Sequence, residues 1–247
     1  MPPPPLADRI ALVTGASRGI GHAAALALAK AGAHVVAVAR TVGGLEELDD
    51  AIRGVGGSAT LVPLDLKDYA GIDRLALALH GRFGRLDALV GNAGILGPLS
   101  PLGHVDAAAW DEVMAVNVTA NWRLLRAMDP LLKASDAGRA VFVSSGVAAL
   151  ALAYWGPYAA SKAALEVLAR TYAAETATTN VRVNLLTPGP IRTRMRAQAM
   201  PGEDPMTLDP PDKVAEKIVE LCLPGMQESG KLYAYPQRRF LEFRPPS

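Results

Sequence analysis

Residues 10–40 read IALVTGASRGIGHAAALALAKAGAHVVAVAR. Residues 10–13 form a short apolar run that suits a buried strand, and 22–31 form an Ala- and Leu-rich helical run closed by Gly32. Residues 33–39 are apolar and β-branched again, which reads as a second strand. Between the first strand and the helix lie Gly15, Ser17, Arg18, Gly19, Ile20 and Gly21, with the glycines spaced G-x-x-x-G-x-G. A strand that turns through glycines into a helix suits a bound phosphate. Glycine lets backbone N–H groups approach the anion, and the helix N-terminus favours its charge. The alternative is a tight turn whose glycines serve packing alone.

Arg40 stands at the carboxyl end of the second strand, followed by Thr41. An acidic residue there would bond the ribose 2′-OH of NAD, whereas an arginine suits the 2′-phosphate of NADP. Either Arg18 or Arg40 alone reads as a solvated surface charge. As a pair flanking one place, they make NADP (NADPH) the expected coenzyme.

The strand–helix alternation continues downstream. A helical run at 45–52 breaks at glycines 54–57, and a strand at 59–64 ends in Asp65-Leu66. Asp65 could meet an adenine amino group or cap the next helix. A helix at 69–83 and a strand at 86–90 lead into Gly91-Asn92-Ala93-Gly94, small residues that permit close ligand approach. Residues 106–134 carry a long helical pattern with Asn117 and Asn121 inside it, where a buried asparagine needs a specific partner. A strand at 139–143 ends at Ser144-Ser145, and one at 181–186 ends at Thr187-Pro188-Gly189-Pro190. Residues 191–211, interrupted by Met195, Met200, Pro201 and Pro205, read as a mobile segment covering the substrate. A helix at 212–223 and a strand at 231–235 follow. Such alternation predicts a parallel sheet with right-handed crossovers.

Tyr158-Ala-Ala-Ser-Lys162 carries the chemistry. In a helix, positions four apart share a face, so phenol and ammonium lie side by side. A free tyrosine titrates near pH 10, and lowering it by two to three units takes roughly 3–4 kcal/mol. One cation about 4 Å away, at an effective dielectric near 20, supplies on the order of 4 kcal/mol. Tyr-x-x-x-Lys can thus act as a general acid/base without histidine or metal. An amphipathic helix with a surface lysine would show the same spacing.

Composition narrows the rest. A chain of 247 residues suits one large domain, and 25 basic against 24 acidic side chains argue against a nucleic-acid partner. The single Cys222 cannot form an internal disulfide, which fits a reducing interior. The opening MPPPPLADR lacks a secretory pattern; residues 1–5 read as a frayed polyproline tail and 1–7 as a disordered Pro-rich segment. No apolar run is long enough for a membrane span. The expected location is the cytoplasm, with no membrane and no metal involved.

Together, TGASRGIG at 14–21, Asp65, Asn92-Ala93-Gly94, Asn117, Ser145, Tyr158 with Lys162, and Pro188-Gly189-Pro190-Ile191-Arg192-Thr193 resemble the short-chain dehydrogenase/reductase family, NADP-preferring type. The resemblance covers about residues 8–235. It implies one α/β Rossmann domain at 8–247, a doubly wound seven-stranded parallel sheet with helices on both faces. It implies Tyr158 as acid/base and Lys162 as the group that lowers its pKa and holds the nicotinamide ribose. Ser145 would bond the substrate oxygen, and Asn117 would anchor a water linking Lys162 to solvent. Asn92, Ala93 and Gly94 would line the adenosine side, and Ile191 and Thr193 would contact the carboxamide.

The expected function is NADP(H)-dependent interconversion of a carbonyl and an alcohol on a small, apolar substrate. The rival is a non-catalytic NADP-binding regulatory protein, against which the intact set of Asn117, Ser145, Tyr158 and Lys162 argues. Two departures stand out. Gly91 replaces the asparagine the family often has, which is expected to loosen that turn. The tail at 236–246 replaces a glycine-rich end that often packs between subunits, so a homodimer through the 106–134 and 157–178 helices is expected before a homotetramer.

Overall fold

The computed structural model describes residues 3–243. β1 (Ile10–Thr14) is buried at every position. A strand with no wet face belongs in the middle of a sheet covered on both sides. It is followed by α1 (Gly19–Lys30), β2 (His34–Ala39), α2 (Val42–Gly54), β3 (Ser58–Pro63), α3 (Tyr69–Phe83) and β4 (Ala88–Gly91). The second half runs α4 (Ala107–Met114), α5 (Ala120–Ala134), β5 (Arg139–Val143), α6 (Val147–Leu150), α7 (Gly156–Glu175) and β6 (Arg182–Thr187). It closes with α8 (Arg194–Ala199), α9 (Pro211–Cys222), β7 (Leu232–Ala234) and β8 (Arg239–Leu241).

The sheet order is β3-β2-β1-β4-β5-β6-β7-β8. Alternate residues of β1 serve two cores. Ala11 and Val13 join Leu28 of α1, Leu48 of α2 and Ile218 of α9, while Ile10 and Leu12 join Leu79 of α3, Leu124 of α5 and Leu165 of α7. Helices therefore cover both faces, as a doubly wound fold requires. The order reverses between β1 and β4, and a ligand crevice opens at the carboxyl ends of the strands flanking such a reversal.

Three expectations change. The sheet has eight strands rather than seven, and the last pairs antiparallel to β7. A tight turn at Tyr235–Gln237, with Arg238 in the left-handed region at φ 51°, folds the tail back. The ring of Phe240 then meets Tyr233 edge-on at 5.3 Å, and Lys231 donates to Glu242 at 2.6 Å. The tail covers an edge that would otherwise offer open hydrogen bonds.

The amino-terminal segment is docked from Pro4 to Ala7 rather than disordered. Leu6 is buried, its N–H bonds the Ala31 carbonyl at 2.9 Å, and Ala7 N–H bonds Pro4. Gly32 at φ +101° leaves the room that Pro4 and Ala7 occupy. Met1 and Pro2 of that expected tail lie outside the described residues.

Third, the 106–134 helical pattern is not uniform. Between α4 and α5 the chain widens to a π-turn at Ala115–Thr119, which contains Asn117. Such insertions mark functional sites because they release a backbone carbonyl and turn a side chain inward. Among the described residues, no helix is long and apolar enough to cross a membrane.

Candidate active site

The glycines after β1 divide the labour. A Cβ on Gly15 would lie 2.9 Å from the Asn92 amide, and one on Gly21 would lie 2.3 Å from the Gly15 carbonyl. Both are glycine because neighbours fill the space. Gly19, at φ +59°, is different: its nearest neighbour is the Thr193 methyl at 3.5 Å. Arg18, at the N-cap position of α1, makes no side-chain cap, so the first-turn N–H groups have no side-chain acceptor. Packing thus accounts for Gly15 and Gly21, while the first turn of α1 keeps amides without a side-chain acceptor.

Thr14, the last residue of β1, binds this loop to the turn after β4. Its hydroxyl accepts from Asn92 N–H and Ala93 N–H, each at 3.1 Å, and the Asn92 side chain donates to the Thr14 carbonyl at 3.0 Å. Gly91 is not a loosened position. A Cβ there would lie 2.4 Å from the Phe142 ring and 2.8 Å from the Asn121 amide oxygen. The phenyl of β5 fills the space that a larger residue would take.

On the other side of β1, Arg40 and Asp65 end neighbouring strands, 3.9 Å apart and both about half exposed. Asp65 accepts from Lys67 N–H at 2.9 Å, while the α3 cap is Asp68, which accepts from Gly71 N–H. Asp65 is therefore not the helix cap. Thr41 occupies the N-cap position of α2 without a side-chain bond, and Gly44 of that helix approaches Ser17 so closely that a Cβ would lie 2.8 Å from its carbonyl. Ser17, Arg18, Arg40 and Thr41 hence border one corner. Ile20 and Leu66 pack into the two cores, so their side chains support the loops rather than face outward.

α7 carries Tyr158 and Lys162 on one face, as the spacing requires. Their expected electrostatic effect is reversed. Burial pushes the Tyr158 phenol up to about 12, opposed by a hydrogen bond with the Ser145 hydroxyl. Burial pushes the Lys162 ammonium down to about 8, opposed by the charge of Glu166. The reason is orientation: Lys162 Nζ donates to the Val143 carbonyl at 2.8 Å and lies 5.7 Å from the centre of the Tyr158 ring. Desolvation outweighs an attraction that is not aimed at the phenol oxygen.

Asn117 is fully buried, and its side chain is fully used. Oδ1 accepts from Ile95 N–H at 2.8 Å; Nδ2 donates to the Ile95 carbonyl and to Ser161 Oγ, each at 2.9 Å. Ser161 in turn donates to the Tyr158 carbonyl at 2.7 Å. The Asn117 carbonyl accepts from Asn121 Nδ2 at 2.8 Å. Gly94 stands beside this group, where a Cβ would lie 3.2 Å from Asn117 Oδ1 and 3.5 Å from Lys162 Nζ.

Over the phenol lies an apolar cluster of Leu96, Val147 and Ala199, with Trp155 and Met195 packed against it. α8 supplies Met195 and Ala199, which pack in the same cluster as Tyr158. The 191–211 segment is folded: Thr193 caps α8, Arg196 donates twice to Glu203 at 2.5 and 2.6 Å, and Ile191 bridges to Asp209. Gly189, at φ +72°, turns against Pro236 directly after Pro188. One residue earlier, the Thr187 hydroxyl is buried without a hydrogen-bond partner.

Thr14 and Ser161, through their bonds to Asn92, Ala93 and Asn117, and the unpartnered Thr187 hydroxyl are further polar groups of this region. Thr14 and Thr187 each end a strand just before a ligand-approach turn, a position that was itself a usable signal. Ser161 lies within the Tyr158–Lys162 motif, but its partner is 44 residues away in sequence.

A sequence model described as short chain dehydrogenase matches residues 9–204. An Escherichia coli protein, the uncharacterized oxidoreductase YciK, is 42% identical over 209 residues, covering 83% of this chain and 82% of its own. An uncharacterized NAD-dependent oxidoreductase of Mycobacterium tuberculosis is 36% identical over 251 residues, covering 89% of this chain and 91% of its own. Among solved structures, a Shigella flexneri short chain dehydrogenase complexed with NADP superposes with a TM-score of 0.91 at 37% identity. That match covers 95% of this chain and all of the other, 100%.

Proposed function

Since the chain belongs to the short-chain dehydrogenase family, we propose that it is an NADP(H)-dependent oxidoreductase that interconverts a carbonyl and an alcohol, with Tyr158 as general acid/base. It is an NAD(P)-dependent enzyme of that family. The observation that carries the finer reading is the meeting of Tyr158, Ser145 and Lys162 beneath an apolar cluster.

The residues fit a dinucleotide. Gly19, in the left-handed region at φ +59°, turns the chain into the uncapped first-turn amides of α1, and Arg18 and Arg40 are exposed cations at the adenosine corner. The buried, unpartnered Thr187 hydroxyl supplies a further polar atom at the other end. Arg18 and Arg40 favour a 2′-phosphate, so the reading follows the NADP of the Shigella protein rather than the NAD named for the mycobacterial one. Ser17, Ile20 and Gly21 shape the pyrophosphate loop, and Thr41, Asp65 and Leu66 border the adenosine. Asn92, Ala93 and Gly94 line its middle, Lys162 holds the nicotinamide ribose, and Pro188, Gly189, Ile191 and Thr193 flank the nicotinamide end. When bound, NADPH supplies the hydride.

The chain's own groups manage the proton. Ser145 donates to the substrate oxygen as negative charge develops on it. Tyr158, neutral at physiological pH as an ordinary phenol is and held so by burial, gives its phenolic proton to that oxygen. Asn117 holds the Ile95 turn and Ser161 in place, and its carbonyl is available to a water that links Lys162 to solvent. Leu96, Val147, Trp155 and Met195 favour a small substrate with apolar substituents. Outer-face residues Trp122 on α5 and Val167 on α7 suit a homodimer, with a homotetramer as the larger alternative. The working location is the cytoplasm.

Tyr158→Phe tests the reading. With any carbonyl found by screening for NADPH oxidation, turnover should fall by at least about 10²–10⁴-fold, while NADPH affinity stays within a few-fold. Undiminished turnover would remove the acid/base role.

A further inference from the structure

We infer that Glu166 is a positioning residue of this site: it holds the Ser145 end of β5 through Ser144 and holds the charge on Lys162 from one helical turn away. The inference rests on the catalytic reading of Ser145 and Lys162 above.

Glu166 lies four residues after Lys162 and eight after Tyr158, so the three follow one face of α7. Its side chain is almost fully buried, which is uncommon for a carboxylate without a strong partner. The Ser144 hydroxyl donates to Glu166 Oε1 at 2.6 Å. One residue earlier, the Val143 carbonyl accepts from Lys162 at 2.8 Å, and Ser144 N–H donates to the Leu186 carbonyl at 2.8 Å. Two rungs therefore bind α7 to consecutive residues of the β5 terminus. The next residue is Ser145, and the helix so bound carries Tyr158. The rungs fix the register between the two hydroxyls that must meet one substrate oxygen.

The second role is electrostatic. Burial pushes the Glu166 carboxyl up, and against it the Ser144 hydrogen bond and the charges of Arg170 and Lys162, both on its own helix, favour the carboxylate; β5 presents the Ser144 hydroxyl and the Val143 carbonyl. The π-turn presents Asn117, which does not titrate. Burial drives the Lys162 proton off, and among the described residues Glu166 is the charge that opposes its loss. No ion pair closes between the two, so the effect acts through space, and a neutral isostere should remove it.

The experiment compares wild type with Glu166→Gln, Glu166→Asp and Ser144→Ala, reading NADPH affinity by fluorescence and reduction rate between about pH 6 and 10. Gln keeps an acceptor for Ser144 and removes the charge. The midpoint at which NADPH binding weakens with rising pH should move down by about one pH unit, and the alkaline limb of the rate profile should move the same way. Asp restores the charge and should restore the wild-type midpoint. Ser144→Ala removes the rung and keeps the charge, so turnover should fall at every pH with the midpoint in place. A midpoint common to wild type and Gln overturns the electrostatic role, and undiminished turnover in Ser144→Ala overturns the positioning role. If Gln does not fold, failure of Asp to hold the wild-type midpoint overturns the inference. Tyr158→Phe separates this from the catalytic reading, because the binding midpoint reports on Lys162 and Glu166 whether or not Tyr158 is the acid.

Discussion

The ammonium of Lys162 donates to the Val143 carbonyl at 2.8 Å and not to the phenol of Tyr158, one helical turn before it. The lysine is thereby buried with its charge facing a neutral acceptor, and burial takes it from 10.5 to about 8. A charge held under those conditions opposes folding.

Lys162→Met should therefore stabilise the protein while abolishing turnover. The depressed pKa corresponds to roughly 3 kcal/mol against the folded state at neutral pH, and loss of the Val143 hydrogen bond, whose donor is charged, takes back about 1.5–3 kcal/mol, leaving a net gain of at most about 1.5 kcal/mol. The unfolded chain binds this proton more tightly, so the cost is full below about pH 8. It disappears as pH rises toward the ordinary lysine value. Urea titrations should show Met ahead at pH near 7 and the gap closing toward pH 10. A variant less stable than wild type at neutral pH would contradict this.

Coenzyme choice rests on Arg18 and Arg40. Each charge-assisted contact to a 2′-phosphate is worth roughly 1.5–3 kcal/mol when desolvated. Both side chains are exposed and Arg40 already faces Asp65 at 3.9 Å, so solvent screening reduces the preference to about 10–100-fold. Arg40→Asp, which sets a second carboxylate beside Asp65, should erase or invert it. Titration of NADPH and NADH against both proteins decides; equal affinities in wild type would sink the assignment.

Gly91→Ala should destabilise through Phe142. The added Cβ would lie 2.4 Å from a fully buried phenyl ring in the centre of the sheet, and overpacking of this kind costs about 1–3 kcal/mol. Phe142→Leu in the same chain should recover part of the loss. Equal denaturation midpoints for wild type and Gly91→Ala would show that the ring yields freely.

The covering segment should open more readily than the sheet. α8 is a helix of only 6 residues, held by the Thr193 cap, the Arg196–Glu203 pair, the bridge from Ile191 and the packing of Met195 and Ala199. Elements with so little buried surface open at a small fraction of the global free energy. Amides of residues 194–200 should exchange with solvent far faster than those of β1, β4 and β5. Equal protection would mean that the cover is part of the rigid fold.

Much of this molecule is legible along the chain. The G-x-x-x-G-x-G loop after an apolar strand, the strand–helix alternation and the four-residue step from Tyr158 to Lys162 are local patterns, read over a few residues each. Their physics is local too: glycine's backbone freedom, helical periodicity and the arginine at a strand end. From these alone the α/β class, a parallel sheet with right-handed crossovers, the candidate dinucleotide corner and the Tyr–Lys spacing follow.

What only the tertiary structure decided depends on partners distant in sequence. Gly91 is glycine because Phe142 needs its space; Leu6 is ordered because Ala31 accepts its N–H; the tail turns back because Phe240 finds Tyr233. Helical spacing put Lys162 beside Tyr158 but not where its ammonium points. That is set by the β5 carbonyls it meets and by the water that burial removes, and so the sign of the Tyr158 shift is a property of the folded chain.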